Sequence, residues 1–218
     1  PGVMMKLFAR LLLVSLALFV LPAHAQAPTA LQAGRDYEEI VGGKPYAALA
    51  GKIEVVEVFG YTCGHCARFE PSVHAWSTKL PADVRFTPVP AAFGGFWDPW
   101  ARAYFAAQAT GVAAASHQAV FDALHRDRSL PGSGVSDEQL GQFYARFGTT
   151  SAKFQAALHS NTVTQKMQHA RQFALDAKVE GTPTLIVNGR YRVLGQSFED
   201  MLRITDALIA RERQSATR

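Results

Sequence analysis

Two cysteines, Cys63 and Cys66, come shortly after a β-branched run, and this arrangement limits the possible folds more than any other part of the sequence. The run, 53–59 (IEVVEVF), is bounded by glycines and is typical of a buried central strand. Beyond the cysteines, apolar residues recur at helical spacing. The sequence therefore predicts a strand, a short loop and a helix that begins at the cysteine pair.

A Cys-x-x-Cys pair at the start of a helix favours redox chemistry. Free backbone N–H groups and aligned peptide dipoles at a helix N-terminus stabilise a thiolate, so we expect a lowered pKa for Cys63. His65 lies between the sulfurs and adds positive or hydrogen-bonding character. Cys66, one turn along the helix, suits the role of resolving thiol. Because a stabilised thiolate favours the reduced form, the disulfide of such a pair is a stronger oxidant.

The pair could also be half of a zinc site or a purely structural disulfide. The chain has no other cysteine, and His117 and His125 are eight residues apart, which does not match the usual spacing of zinc ligands. A disulfide across two residues would close a tiny loop and constrain the unfolded chain little. We therefore predict a redox-active pair that needs neither a metal nor a cofactor.

Residues 1–25 have the pattern of a secretory signal peptide. Lys6 and Arg10 precede an uncharged apolar stretch that ends in a small-x-small cleavage pattern at 23–25 (AHA). The uncharged span is shorter than the roughly 18 residues of a membrane-spanning helix; a core helix or an uncleaved anchor are the alternatives. The pattern predicts export to a bacterial periplasm, which permits disulfides.

The charge of the remaining chain does not support nucleic-acid binding. Without residues 1–25, 20 basic and 18 acidic residues remain, and no run of five basic residues occurs. Apolar residues make up 48% of the chain and charged residues 18%, which is ordinary for a globular domain. We therefore expect a globular protein without a nucleic-acid partner.

The order of the predicted elements is β-α-β, a helical block, and then β-β-α. Residues 26–34 are rich in proline and alanine and predict a flexible arm before a domain at 35–218. Helical spacing dominates from about 97 to 163, between strand patterns. Near the end, Asn188-Gly189 between two β-branched runs is specific for a type I′ hairpin. This order predicts an α/β sheet with an all-helical insertion.

The segment 59–66 (FGYTCGHC), together with 181–184 (GTPT) and Asn188-Gly189, resembles the DsbA branch of the thioredoxin superfamily. The resemblance implies a thioredoxin-like fold with an all-helical insertion. It also implies a periplasmic thiol:disulfide oxidoreductase that donates its Cys63–Cys66 disulfide to newly exported proteins with free thiols. Cys63 would be the exposed nucleophile, and a DsbB-like, quinone-linked membrane protein would reoxidise the pair. Gly64-His65 departs from the family's more familiar Pro-His dipeptide.

The same resemblance places a cis-proline at Pro183, opposite the cysteines. A cis bond there would aim the Thr182 backbone at an incoming peptide and allow β-type pairing while Cys63 attacks. The alternative is an ordinary trans proline in a turn before a strand. We assign Thr182, Pro183, Gly64 and Tyr61 to substrate binding, Tyr61 because it adjoins the active-site loop.

Glu57 matches a buried acid of the family that moves protons at the resolving thiol, and we count it, with the cysteines and His65, among the catalytic residues. A carboxylate inside an apolar strand should have a raised pKa, because burial disfavours its charge. The alternative is that Glu57 points outward beside Glu54. The position of the family's lysine partner for this acid falls at Pro88, so a direct copy of the proton relay is not expected.

Two other functions fit parts of the pattern. A reductase or isomerase could share the fold, but isomerases of this superfamily usually carry a separate dimerisation domain. The short stretch between Gln26 and the first strand leaves no room for one, so we expect a monomer. The second is a peptide-binding chaperone that merely retains the cysteine pair. Reaction with thiols separates it from an oxidoreductase.

Overall fold

A five-stranded mixed sheet lies at the centre of the molecule. The computed structural model describes residues 30–216. The predicted signal peptide and residues 26–29 of the predicted arm lie outside the described residues. The strands are β1 (Tyr37–Glu39), β2 (Ile53–Phe59), β3 (Val84–Pro90), β4 (Thr184–Val187) and β5 (Tyr191–Val193). They are arranged in the order β1-β5-β4-β2-β3; β2 and β3 are parallel, and the other pairs are antiparallel.

Seven α-helices of the described chain pack around this sheet. They are α1 (Gly64–Ser77), α2 (Trp97–Ala109), α3 (Ala113–Phe121), α4 (Asp137–Ala145), α5 (Ser151–Leu158), α6 (Asn161–Asp176) and α7 (Phe198–Ala216), and a π-helical turn, Asp122–Arg126, continues α3. The thioredoxin-like arrangement with a helical insertion is confirmed, since helices alone connect β3 to β4. The predicted insertion boundary at about residue 163 falls in the first turn of α6. Within the described chain, no helix is both long and apolar enough to cross a bilayer.

The core lies on both faces of the sheet because side chains alternate along β2. Val56 and Val58 pack with the helical insertion, whereas Val55 packs with α1 and α7. All three are 0% exposed. This two-sided burial explains why apolar residues occupy both odd and even positions of β2 instead of strictly alternating with polar ones.

Strand β3 accommodates two prolines because it lies at the edge of the sheet. The Ile53 N–H donates to the Asp83 carbonyl, and the Ala91 N–H donates to the Phe59 carbonyl. Odd-numbered residues of β3 therefore face β2, and the missing N–H groups of Pro88 and Pro90 lie on the open side. The prolines weaken no hydrogen bond between the two strands.

The turn between β4 and β5 has the predicted geometry. Asn188 and Gly189 both have positive φ, 50° and 65°, as a type I′ turn requires. A Cβ atom at position 189 would also meet the Lys44 carbonyl oxygen at 2.0 Å.

In the described part of the predicted arm, the Gln32 N–H donates to the Asp36 carboxylate at 2.7 Å.

Candidate active site

The two cysteines lie where β2 leads into α1. Cys63 is the N-cap residue of α1, and the Cys66 N–H points at its sulfur at 3.4 Å. Cys63 is partly exposed, whereas Cys66 is 1% exposed and its sulfur accepts from the Gly60 N–H at 3.5 Å. The two residues are free thiols in this structure. One sulfur is thus accessible to a partner, and the other is enclosed behind it.

Hydrogen bonds hold the pKa of Cys63 far below that of an ordinary thiol. A bond from the Cys66 thiol is the largest cause, and the Thr182 side chain and the N–H groups of Cys66 and His65 add to it. Partial burial acts in the opposite direction, and the resulting pKa is about 5. At neutral pH Cys63 is therefore a thiolate in the reduced protein.

Burial has the opposite effect on Cys66. Removal from water raises its pKa strongly, and its interaction with Cys63 adds to the shift. Cys66 therefore stays protonated when Cys63 is a thiolate. A thiolate with such a high proton affinity is also a poor leaving group, so release of Cys66 from a disulfide requires a proton.

The segment before β4 closes the site from the other side. The Thr182–Pro183 peptide bond is cis, as predicted. The Thr182 carbonyl oxygen lies 3.3 Å from the Cys63 sulfur, although the two residues are 119 positions apart. Gly64 is partly exposed and begins α1 on the opposite side of Cys63. His65 is exposed, and the Arg68 guanidinium donates to its Nδ1 at 3.2 Å.

Tyr61 does not lie on the surface, and the assignment of this residue to an exposed substrate-binding position is wrong. It is 1% exposed, and its ring packs against those of Phe59 and Phe121 at centroid distances of 5.2 and 5.0 Å. Its hydroxyl lies 2.8 Å from Nδ1 of His117. The physical reason is that the helical insertion covers this part of the loop with aromatic rings.

Glu57 points into the protein, and the alternative of an outward orientation is wrong. It is 2% exposed and pairs in register with Pro88 of β3. Burial raises its pKa well above the usual value, and the charges of Glu70 and Cys63 raise it further. Within residues 30–216, no ion pair to the Glu57 carboxylate is formed. Glu57 is thus a proton-carrying group close to the cysteines.

Three polar residues near the site were not identified from the sequence. Nε2 of His125 lies 2.7 Å from the Tyr61 carbonyl oxygen. Nε2 of His117 lies 3.3 Å from a carboxylate oxygen of Glu70, which is 6% exposed. In the sequence, the spacing of these histidines bears only on zinc binding. Their spacing of about two helical turns indicates a shared side of one helical segment, but it does not indicate what that side contacts.

The described residues contain no cluster of three or more histidine, cysteine, aspartate or glutamate side chains that could hold a metal ion. The groups that the structure brings together at the site are the two sulfurs and the acid and base side chains beside them. The exposed nucleophile, the enclosed thiol and the protonated carboxyl together suit thiol–disulfide exchange.

Comparison with known proteins shows sequence similarity over almost the whole chain. A thioredoxin family profile matches residues 37–207. The thiol:disulfide interchange protein DsbA of Azotobacter vinelandii is 38% identical over 97% of this chain and 100% of that protein. The protein of the same name from Pseudomonas aeruginosa strain PAO1 is 37% identical over 98% of this chain and 99% of its own.

Solved structures agree with this similarity. The crystal structure of the oxidoreductase DsbA from Xylella fastidiosa superposes with a TM-score of 0.83 at 52% identity, covering 84% of this chain and 98% of that one. The crystal structure of Pseudomonas aeruginosa DsbA gives a TM-score of 0.79 at 37% identity, covering 86% and 97%. This chain therefore belongs to the DsbA family of thiol:disulfide oxidoreductases, within the thioredoxin superfamily.

Proposed function

We propose that this protein oxidises the dithiols of newly exported proteins in a bacterial periplasm by donating its Cys63–Cys66 disulfide. The observation that carries the proposal is that the surroundings shift the pKa values of the two thiols in opposite directions. Hydrogen bonds lower the pKa of Cys63 to about 5, whereas burial raises that of Cys66. Because the Cys63 thiolate stabilises the reduced pair, the disulfide is a ready electron acceptor.

The reaction begins when a substrate thiolate attacks the sulfur of Cys63. The bond between Cys63 and Cys66 breaks, a mixed disulfide forms, and Cys66 leaves as a thiolate that takes up one proton. A second substrate thiolate then attacks the substrate sulfur of the mixed disulfide and releases Cys63 as a thiolate. The substrate loses two electrons, which the enzyme now holds in its reduced cysteine pair.

The residues around the sulfurs have distinct roles in this proposal. Thr182 and Pro183 pair with the extended substrate, because the Thr182 carbonyl lies next to the Cys63 sulfur. Gly64 and His65 form the exposed rim on the other side, and the His65 N–H supports the Cys63 thiolate. Glu57 supplies the proton that Cys66 takes up, because its raised pKa keeps it protonated near neutral pH.

The cellular setting follows from the sequence pattern and the family. The signal-like segment 1–25 and the family's thiol chemistry support a periplasmic location. We infer that a DsbB-like, quinone-linked membrane protein reoxidises the pair and that the enzyme acts as a monomer. A pull-down with the Cys66→Ser variant from periplasmic and membrane fractions would test these partners, since covalent adducts survive non-reducing electrophoresis.

The deciding experiment is the equilibrium of the Cys63–Cys66 pair with glutathione at pH 7. A potential of roughly −120 to −180 mV supports disulfide donation. A potential near about −270 mV would make the protein a reductant and contradict the proposal. No exchange with glutathione, combined with suppression of aggregation, would identify a peptide-binding chaperone instead.

A further inference from the structure

An imidazole–carboxylate pair lies on the side of the active-site helix that faces the insertion. His117 of α3 contacts Glu70 of α1 at 3.3 Å, and both side chains are largely buried, at 16% and 8% exposure. The other ring nitrogen of His117 lies 2.8 Å from the Tyr61 hydroxyl. These two contacts hold the ring in one orientation between α1 and the loop that precedes the cysteines.

A cavity of about 470 Å³ connects this pair with the surface. Its lining includes Glu70, His117, Pro88 and the exposed His74. Pro88 is the residue directly opposite Glu57 in the sheet. The cavity therefore extends from the protein surface to the strand position that faces the buried acid.

Glu57 and Glu70 are close enough for their charges to interact. The charge of Glu70 raises the pKa of Glu57, and the charges of both acids raise that of Tyr104, which also lines the cavity. Among the residues that line the cavity, the only bases are His74 and His117. Of these two, His117 is the one in contact with an acid, so it is placed to exchange protons with the Glu57–Glu70 group.

We propose that His117 is a positioning residue which, together with Glu70, passes protons between the water of the cavity and Glu57. Pro88, the residue opposite Glu57, has no basic side chain that could do this. The inference rests on the proposed role of Glu57 as the proton donor to Cys66. When Cys66 leaves as a thiolate, it takes the proton of the Glu57 carboxyl. The Glu57 carboxylate regains a proton from the Glu70–His117 pair, and that pair is reprotonated by the proton that the substrate thiol released to the solvent when it ionised. One proton enters per mixed disulfide, and no electrons pass through the pair.

The groups that face His117 are known from each neighbouring element. Glu70 from α1, Tyr61 from the loop after β2 and Tyr104 from α2 contact it, and His74 from α1 lines the same cavity. Glu57 of β2 lies opposite Pro88, which also lines this cavity. Burial raises the pKa of both tyrosines, so they stay neutral near pH 7.

The test is the rate at which the oxidised His117→Gln variant reacts with a dithiol peptide between pH 5 and 8. Glutamine keeps a hydrogen-bonding group but does not titrate, so we expect a rate about tenfold lower at pH 7 and a flatter pH profile. The equilibrium with glutathione should not change, because a proton path alters rates only. The matched control is His74→Gln. His74 lines the same cavity but forms no ion pair with Glu70, so this variant should react at the wild-type rate.

Chemical rescue separates proton transfer from a structural effect. Imidazole added to His117→Ala should restore much of the lost rate, since the cavity leaves room for it, and should not accelerate the wild type or the control. A wild-type rate and pH profile for His117→Gln would overturn the inference. If Glu57→Gln is slow and His117→Gln is not, the proposed role of Glu57 stands and only the His117 path fails. If both react normally, both ideas fail.

Discussion

Glu54 and Glu57 lie three residues apart on β2 and are buried on opposite faces of the sheet, at 0% and 2% exposure. The Glu54 carboxylate accepts from the Arg85 guanidinium at 2.8 Å and from the Tyr46 N–H at 2.7 Å. Glu57 has no such partner among residues 30–216. Two identical side chains on one strand therefore have different environments: Glu54 is neutralised by its partners, whereas burial without an ion pair raises the pKa of Glu57.

We expect Glu57→Gln to stabilise the protein at pH 8 by about 2 kcal/mol, because it removes the free-energy cost of burying a carboxyl group that is ionised in the unfolded chain and has no ion-pair partner in the folded one. The pKa of Glu57 is raised in the folded state, so its contribution to stability is complete below the unfolded value and is lost as pH rises through the folded one. The gain should therefore shrink towards pH 4. Thermal unfolding of the oxidised protein at both pH values measures it.

The matched control for that prediction is Glu54→Gln. This change leaves the Arg85 guanidinium without its carboxylate, so we expect a loss of about 3 kcal/mol at pH 7. Stabilisation by Glu54→Gln, or destabilisation by Glu57→Gln at pH 8, would show that the two acids have been assigned the wrong environments.

Cys63 should react with iodoacetamide as a thiolate at unusually low pH. Hydrogen bonds, first of all from the Cys66 thiol, lower its pKa to about 5. The alkylation rate of the reduced protein should therefore rise through a midpoint near this value and level off well below pH 7. Removing the largest cause, in Cys66→Ala, should move the midpoint upward. A midpoint near the pKa of a free thiol in the wild type would contradict the hydrogen-bond geometry.

The contribution of Cys63 to the stability of the reduced protein should increase with pH. A lowered folded pKa means that the contribution of Cys63 is fully present above the unfolded value and is lost as pH falls through about 5. We expect the Tm of the reduced wild type to rise between pH 4 and pH 8 relative to Cys63→Ser, which carries no thiolate. Differential scanning calorimetry under a reductant gives both curves; parallel curves would argue against a stabilised thiolate.

The two single-cysteine variants should behave differently towards substrates. Cys66→Ser keeps the accessible nucleophile but lacks the resolving thiol, so it should accumulate mixed disulfides through Cys63. Cys63→Ser leaves only the enclosed sulfur and should abolish turnover. Peptide mapping of adducts formed with an unfolded substrate that carries a disulfide checks both, because a single thiolate can enter such a bond by exchange without a separate oxidant. Adducts on Cys66 in the second variant would reverse the proposed order of attack.

Local signals in the sequence were sufficient for the individual elements. The β-branched run predicted β2 at its observed bounds, and Asn188-Gly189 predicted a turn whose two central residues both have positive φ. The position of the helix start at Cys63 followed from the same kind of short-range pattern. In each case the information lies within a few residues, because strand propensity, turn geometry and helix capping are short-range effects.

Alternation along the strand did not reveal that both Glu54 and Glu57 are buried. One face of β2 is covered by α1, and on the other face Arg85 and the 46–47 backbone neutralise Glu54. Likewise, prolines such as Pro88 and Pro90 fit in β3 only because this strand lies at the edge of the sheet. Burial on both faces and position in the sheet depend on elements far away in the chain.

By itself, then, the sequence determined the redox pair, the order of elements and the family. Only the tertiary structure decided which residues surround the pair: it buried Tyr61, brought His117 to Glu70, and placed the Thr182 carbonyl beside Cys63. The physical reason is packing. The insertion covers the active-site loop with side chains from residues far away in the chain, such as His117 against Tyr61 with a separation of 56. No local pattern encodes which surfaces will meet.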